Sequence, residues 1–339
     1  MNKPFIYLCL ALIALIASAI FAVSFGAVSI SSSDVMSVLW QALGGESDVD
    51  EIKQRIVLEL RFPRLVLAFL TGAGLSLAGA VLQTVTRNPL ADPYLFGIAS
   101  GASFGAVLVI ATIAGGAGWS VGQTSITSGA FIGAALSVLI VLSLAGRSIQ
   151  IERMLLAGVA VSFMFSAATS LVLYASDPEA AASLLFWTLG SFTRASWENL
   201  LLPSIVIVIC LIAFLGYSRS LKAILAGDET AKTLGIHVPR LRLIMLLLSS
   251  LLTATLVANT GGIGFVGLMI PHIVRRIMQS QQQFFLLGCT VFGGLFMVWV
   301  DVFARTLVAN EELPIGIITA AIGSAFFLIV LRRRGWSGE

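Results

Sequence analysis

Apolar residues in this chain run in long blocks rather than alternating at the period of a half-buried strand. The blocks predict ten membrane-spanning helices, over Phe5–Ala27, Pro63–Val85, Tyr94–Ile113, Ser128–Leu144, Met154–Tyr174, Leu200–Tyr217, Leu241–Ala258, Ile263–Ile277, Phe284–Ala304 and Pro314–Leu331. The eighth is short, opens on Gly261-Gly262-Ile263-Gly264 and carries His272 and Arg275, so a re-entrant segment is its alternative. Polar residues gather between the blocks, most densely in an outer loop over about 28–62 and an inner segment over about 218–240.

Composition removes the soluble alternatives. Of 339 residues, 58% are hydrophobic and 11% charged, less than half the usual supply of charge for covering a soluble surface, about 25%. Lipid admits only helices or closed barrels, and these runs are too continuous for barrel strands. The expected fold is therefore one all-α membrane bundle of ten transmembrane helices over residues 1–339. Cys9, Cys210 and Cys289 all lie inside apolar runs and form neither a disulfide framework nor a metal spacing.

Charge placement orients the bundle. With ten crossings and both termini cytoplasmic, only Lys53, Arg55, Arg61, Arg64, Arg194 and Arg305 of the 20 basic residues fall outside, as the positive-inside rule requires. Lys3, an apolar core and Ala17-Ser18-Ala19 resemble a secretory signal, but the run continues to Ala27, which favours an uncleaved helix. Asp34, Glu46, Asp48, Asp50, Glu51 and Glu59 make the outer loop a solvated surface, with a short amphipathic helix expected near Val35–Leu43.

Small residues at four-residue spacing, Gly72-Ser76-Ala80-Thr84 and Gly97-Gly101-Gly105, predict close helix packing; the alternative is a stripe lining a dimer interface or pathway. Several chemistries are missing. None of the four lysines follows a glycine, so no phosphate loop exists and the chain does not itself hydrolyse ATP. Ser100 and His272 form the one tempting hydrolase pair, but they lie in a packing stripe and beside an arginine pair. A secondary transporter would keep ionisable groups in mid-membrane; Asp301 and Arg305 come nearest, and their spacing makes them first an i,i+4 pair. Energy is expected from another subunit.

Ordered motifs then carry a resemblance. Arg61-Phe62-Pro63-Arg64, Gly79-Ala80-Val81-Leu82-Gln83, Arg87-Asn88-Pro89-Leu90-Ala91-Asp92-Pro93, Leu155-Leu156-Ala157-Gly158-Val159-Ala160, Trp187 to Ser191, Leu225 to Gly235, Gly264-Phe265-Val266-Gly267-Leu268 with Pro271-His272, and Glu312-Leu313-Pro314-Ile315-Gly316 follow one another along nearly the whole chain. The chain resembles the FecCD-type membrane permeases of ABC importers for iron-siderophore, haem and vitamin B12. Two departures stand out: Tyr94-Leu95-Phe96-Gly97 replaces a more usual acidic residue and leucine, and Ser324-Ala325 replaces Ala-Pro, removing a proline kink.

The resemblance implies a type II ABC importer permease in a bacterial inner membrane. Its implied partners are a second permease copy or paralogue, two ATP-binding subunits, a periplasmic substrate-binding protein and the lipid bilayer, with no nucleic acid. This chain would bind no cofactor, ATP and Mg belonging to the partner subunit, and no metal. Read physically, Asp228 suits an N-cap, Glu229 the positive helix start, Lys232 its negative end and Gly235 a left-handed stop, so Gly227–Gly235 reads as a capped two-turn helix. The resemblance makes it a coupling helix for the ATP-binding subunit, with Gly227, Asp228, Glu229, Ala231, Leu234 and Gly235 as its residues and Ala231 and Leu234 as the knob. It also implies that Arg61, Arg64 and Arg305 dock acidic residues of the binding protein, a task suited to the guanidinium fork; snorkelling and the local Asp301 pair are the alternative. Gln83, Arg87, Asn88, Pro89 and Tyr94 are the pathway or gate candidates, with Asn88 expected to cap the following helix. His237 and His272 are read as surface or packing residues. The implied function is import by alternating access, with ferric siderophore ranked before haem and cobalamin. A stand-alone secondary transporter is the alternative from another class.

Overall fold

The computed structural model describes residues 3–26, 30–42, 44–45, 49–114, 123–146, 151–176, 178–278, 281–308 and 311–334. Glu46, Asp48 and Arg147 lie outside the described residues. Among the described residues fifteen α-helices follow one another: α1 Lys3–Ser24, α2 Ser32–Ala42, α3 Glu51–Arg55, α4 Phe62–Thr86, α5 Ile98–Ala114, α6 Gln123–Ala145, α7 Ile151–Ala175, α8 Pro178–Thr188, α9 Trp197–Gly216, α10 Ser218–Leu225, α11 Asp228–Thr233, α12 Val238–Thr260, α13 Val266–Ile277, α14 Gln282–Thr306 and α15 Ile315–Arg334. Among the described residues no strand forms beyond one bridge between Val308 and Glu311.

Every one of the ten predicted apolar runs contains a helix. Seven helices are long and apolar enough to cross a membrane, and Ile98–Thr112 and Ile315–Val330 are shorter apolar helices. α13 has 12 residues, about 18 Å at 1.5 Å per residue, well short of a core of about 30 Å. The outer loop is shorter than expected: α3, a π-helical segment Ile56–Arg61 and α4 form one continuous helix. Ser31 accepts the Asp34 N–H at the start of α2, close to the predicted amphipathic helix. Asp34 also pairs with Lys53 at 2.7 Å, which lowers its carboxyl pKa and raises that of the lysine.

α4 is the mast of the bundle, with 89% of its apolar window buried against 22% for α1. It carries no charge between Arg64 and Arg87, and its small residues let neighbouring backbone approach closely. A Cβ on Gly72 would meet the Gly293 carbonyl of α14, and one on Gly79 would meet the Gly267 carbonyl of α13. Ser76 donates to the Cys289 carbonyl at 2.6 Å. In the same way Gly101 and Gly105 of α5 lie on Gly133 and Gly129 of α6. Both stripes therefore pack helices of this one chain, although Gly97 is a left-handed residue before α5 rather than part of it. The Gly79→Ala protein is expected to lose about 1–3 kcal/mol of stability, because the neighbour is backbone and cannot turn aside; thermal unfolding in detergent measures it. α15 runs straight through Ser324-Ala325, as expected without the proline.

α1 belongs to this packing. Trp299 donates to Ser18 at 3.0 Å, and the carbonyls at its C-terminal end serve two arginines described below.

Candidate functional site: two ionic ends and a broken-helix crossing

The three arginines expected to dock a partner gather at one end of the bundle, as predicted, but they are turned inward. Arg64 at the start of α4 donates through Nε to Asp301 Oδ1 at 2.8 Å and through Nη1 to Glu312 at 2.9 and 3.0 Å. Arg305, one turn beyond Asp301, reaches Asp301 Oδ2 at 2.9 Å and the Phe25 and Ala22 carbonyls at 2.8 and 3.2 Å. The Asp301 side chain is 2% exposed, Arg305 7% and Arg64 12%. Two guanidinium groups and two carboxylates thus form a closed, locally neutral set. Arg61 is buried and donates to the Val23 and Ser24 carbonyls at 2.6 and 3.1 Å, where a cation suits the negative end of α1. The expected i,i+4 pair exists, and its second partner, Arg64, comes from a helix far away in sequence.

At the opposite end, α11 forms a second ionic knot. Asp228 is the first helical residue and Gly227, with φ +120°, takes the N-cap place, so Asp228 is not the cap it was expected to be. Its Oδ1 instead accepts from Arg242 Nη2 at 2.9 Å and lies 3.1 Å from Arg87 Nη2. Arg87 ends α4 in the left-handed conformation, and Arg242 in α12 also donates to the Val85 carbonyl. One carboxylate therefore joins α11 to the end of α4 and the start of α12. Glu229 is exposed and, among the described residues, pairs only with Lys232, at 2.8 Å, which raises the lysine pKa. Gly235 has φ +79°, the left-handed stop predicted for it. Leu234 is 67% exposed and Ala231 is fully buried; the knob is Leu234 alone, because the helix turns Ala231 inward.

Between the ends, two breaks in the helices meet. After Arg87 the chain folds into an Asx turn, Asn88 Oδ1 accepting the Leu90 N–H, followed by a 3-10 turn Pro93–Phe96. Asn88 thus shapes its own turn, and it is Asp92 that caps the next one by accepting the Tyr94 N–H at 2.8 Å. Pro89 is an exposed turn residue. The second break, 261–265, is non-helical chain between α12 and α13. It ends on Phe265, a non-glycine residue at φ +69°, a conformation that costs free energy and persists where surrounding packing enforces it. Backbone of this kind survives at membrane depth only when other protein groups satisfy it. Tyr94 does so: its hydroxyl oxygen accepts the Ile263 N–H at 2.8 Å. Gln83 of α4 donates to the Gly267 and Leu268 carbonyls at 3.1 and 3.3 Å. Two of the expected gate residues, Gln83 and Tyr94, therefore hold the backbone of the crossing, whereas Arg87 belongs to the ionic knot. The Tyr94→Phe protein, which orphans the Ile263 N–H, is expected to lose about 1–3 kcal/mol, read as a lower unfolding midpoint in detergent.

Sequence reasoning missed Asp92, Arg242 and a cavity of about 210 Å³ at the Arg64 end, lined by residues including Trp187, Arg194, Asn259 and Glu312. Arg242 and Asp228 are 14 residues apart, and only the fold brings Arg194 to Glu312. His237 accepts the Arg240 N–H, His272 lies edge-on to Phe326, and Ser100 donates to the Gly97 carbonyl. Among the described residues no group of three His, Cys, Asp or Glu side chains could hold a metal ion.

The all-helical bundle, with its broken crossing and its ionic ends, is the architecture of a multi-pass transporter permease. The sequence profile of the FecCD transport family matches residues 13–333, and the chain belongs to that family. It is 38% identical to an ABC transporter permease protein of Methanocaldococcus jannaschii over 97% of this chain and 95% of that protein. It is also 35% identical to the hemin transport system permease protein HmuU of Yersinia pestis, over 98% and 97% of the two chains. A solved inward-facing structure of a metal-chelate type ABC transporter superposes with a TM-score of 0.84 at 31% identity, covering 96% of this chain and 99% of that one.

Proposed function

We propose that this FecCD-family permease is the transmembrane subunit of an ATP-driven importer that carries an iron(III) chelate, a ferric siderophore before haem or cobalamin, into the cytoplasm by alternating access. The observation that carries the reading is the Asp228 knot. A short helix with an exposed Leu234 is bonded through one carboxylate to both α4 and α12, so a push on α11 reaches the mast of the bundle. Relatives named for hemin, Fe(3+)-citrate and vitamin B12 support metal chelates as the cargo class, a further relative is named for molybdate, an oxyanion, and iron-siderophore is our ranking among the chelates.

In this reading the chain crosses the bacterial inner membrane ten times, the non-helical 261–265 segment and α13 making one crossing together, with both termini and α11 in the cytoplasm. It pairs with a second copy or a paralogue. One argument for pairing is size: the 210 Å³ cavity at the Arg64 end is smaller than the roughly 300–1,000 Å³ of ordinary ligand pockets, so this cavity by itself does not enclose a large chelate. Two ATP-binding subunits, which carry the ATP and Mg, engage α11, and a periplasmic binding protein docks over the Arg64 end. Since Arg61, Arg64 and Arg305 spend their donors inside the chain, the geometry supports them as braces that shape the docking rim, with half-exposed Glu312 at its surface. A binding screen of the cognate binding protein against ferric siderophores, haem and cobalamin tests the cargo ranking; tight binding of haem or cobalamin without siderophore binding contradicts it.

A further inference from the structure

At the α11 end, α10, the end of α13 and the start of α14 enclose a groove of about 440 Å³ that continues into a second cavity of about 210 Å³, with Lys222, Gln281 and Gln282 common to both. Its cations are Arg219, Lys222 and Arg275. Unlike Arg87, Lys232 and Arg242 at the same end, none of them has a carboxylate within 4.0 Å among the described residues. The sequence explains why: neither α10 nor the whole stretch 263–300 contains an Asp or Glu. The Arg275 guanidinium is held 4.5 Å over the Phe285 ring, which aims it without neutralising it. Beside these charges lies an apolar floor of Leu225, Met278 and Phe285.

We propose that this groove binds the phosphodiester of an anionic phospholipid, of the phosphatidylglycerol or cardiolipin class. The fork of Arg275 and the ammonium of Lys222 suit a phosphate, basic pockets between membrane helices are built for such headgroups, and the apolar floor continues from headgroup to acyl chain. Free phosphate shares the charge chemistry and has no use for the floor. The proposal rests on the chain's lying in a bilayer and on neither its cargo nor its coupling to ATP.

Native mass spectrometry of the detergent-purified chain, titrated with phosphatidylglycerol, cardiolipin or phosphatidylcholine, tests it. Anionic lipid should be retained at least about tenfold more tightly than phosphatidylcholine. The Lys222→Gln/Arg275→Gln protein should lose that preference by about 30-fold, at roughly one cation's worth each. Both side chains sit on exposed residues, so its unfolding midpoint without lipid should match the parent. Arg240→Gln, which removes one charge at the same end outside the groove, should bind as the parent does. Equal retention of phosphatidylcholine, or unchanged anionic lipid binding by the double variant, overturns the proposal. So does millimolar inorganic phosphate that stabilises the chain and displaces all bound lipid, which assigns the groove to a free anion. Loss of assembly with the ATP-binding subunit while lipid binding stays intact also overturns it, and assigns the groove to an acidic protein surface.

Discussion

Replacing Asp301 by alanine is expected to cost about 3–5 kcal/mol, the largest effect of any single substitution considered. Among the described residues Asp301 is the one carboxylate that touches both Arg64 and Arg305; it is buried, and the two arginine side chains are largely covered, at 12% and 7% exposed. Removing one member of a buried ionic set leaves uncompensated charge that the interior cannot solvate. Glu312 would still pair with Arg64, but it is 44% exposed and screened, and Arg305 would keep only carbonyl partners. The loss reads out as a markedly lower thermal midpoint in detergent, or as protein that fails to accumulate in the membrane. Replacing Glu312 by glutamine should cost far less, about 1 kcal/mol or under, because its pair is half exposed. Equal effects of the two substitutions would show that the set is not organised around Asp301.

The second large effect is functional. With the assembled importer in proteoliposomes, the Asp228→Ala subunit is expected to lower ATP-driven uptake about tenfold or more while ATP hydrolysis continues. The substitution cuts α11 from Arg87 and Arg242; couplings carried by such contacts run to about 2 kcal/mol each, a factor of up to about 30, and losing two of them places the expected effect at the upper end of that range. Glu229→Gln should leave uptake near normal, since Glu229 meets only Lys232 at the surface. Parallel loss at both positions would mean that α11 acts through surface charge rather than through its bond to α4 and α12.

Much of the architecture was legible in the sequence because lipid imposes a simple rule: an apolar run long enough to span must be helical. The ten runs, the outer amphipathic helix and the left-handed stop at Gly235 follow from that rule and from local propensity. Breaks inside the spans were harder. The run from Tyr94 begins with a 3-10 turn and that from Ile263 with non-helical chain, since hydropathy registers composition and not backbone conformation. Site residues divide along the same line. Gly227–Gly235 was visible as a segment, but which face of α11 turned outward depended on tertiary packing, so Ala231 was misplaced and Leu234 was not. Asp228 drew attention as a cap when its partners, Arg87 and Arg242, are supplied by two other helices. Arg64 and Asp301 lie far apart in the chain, and nothing local to either reveals the other.

The central claim is that this FecCD-family chain supplies a pathway whose energy comes from elsewhere. The direct measurement is uptake of a ferric siderophore into proteoliposomes containing the chain, with and without its ATP-binding subunit, in the presence of the loaded binding protein. The account predicts accumulation only when both subunits and internal ATP, placed on the α11 side, are present, and none with an ion gradient alone. Accumulation by the chain alone, driven by an ion gradient without ATP, would contradict it.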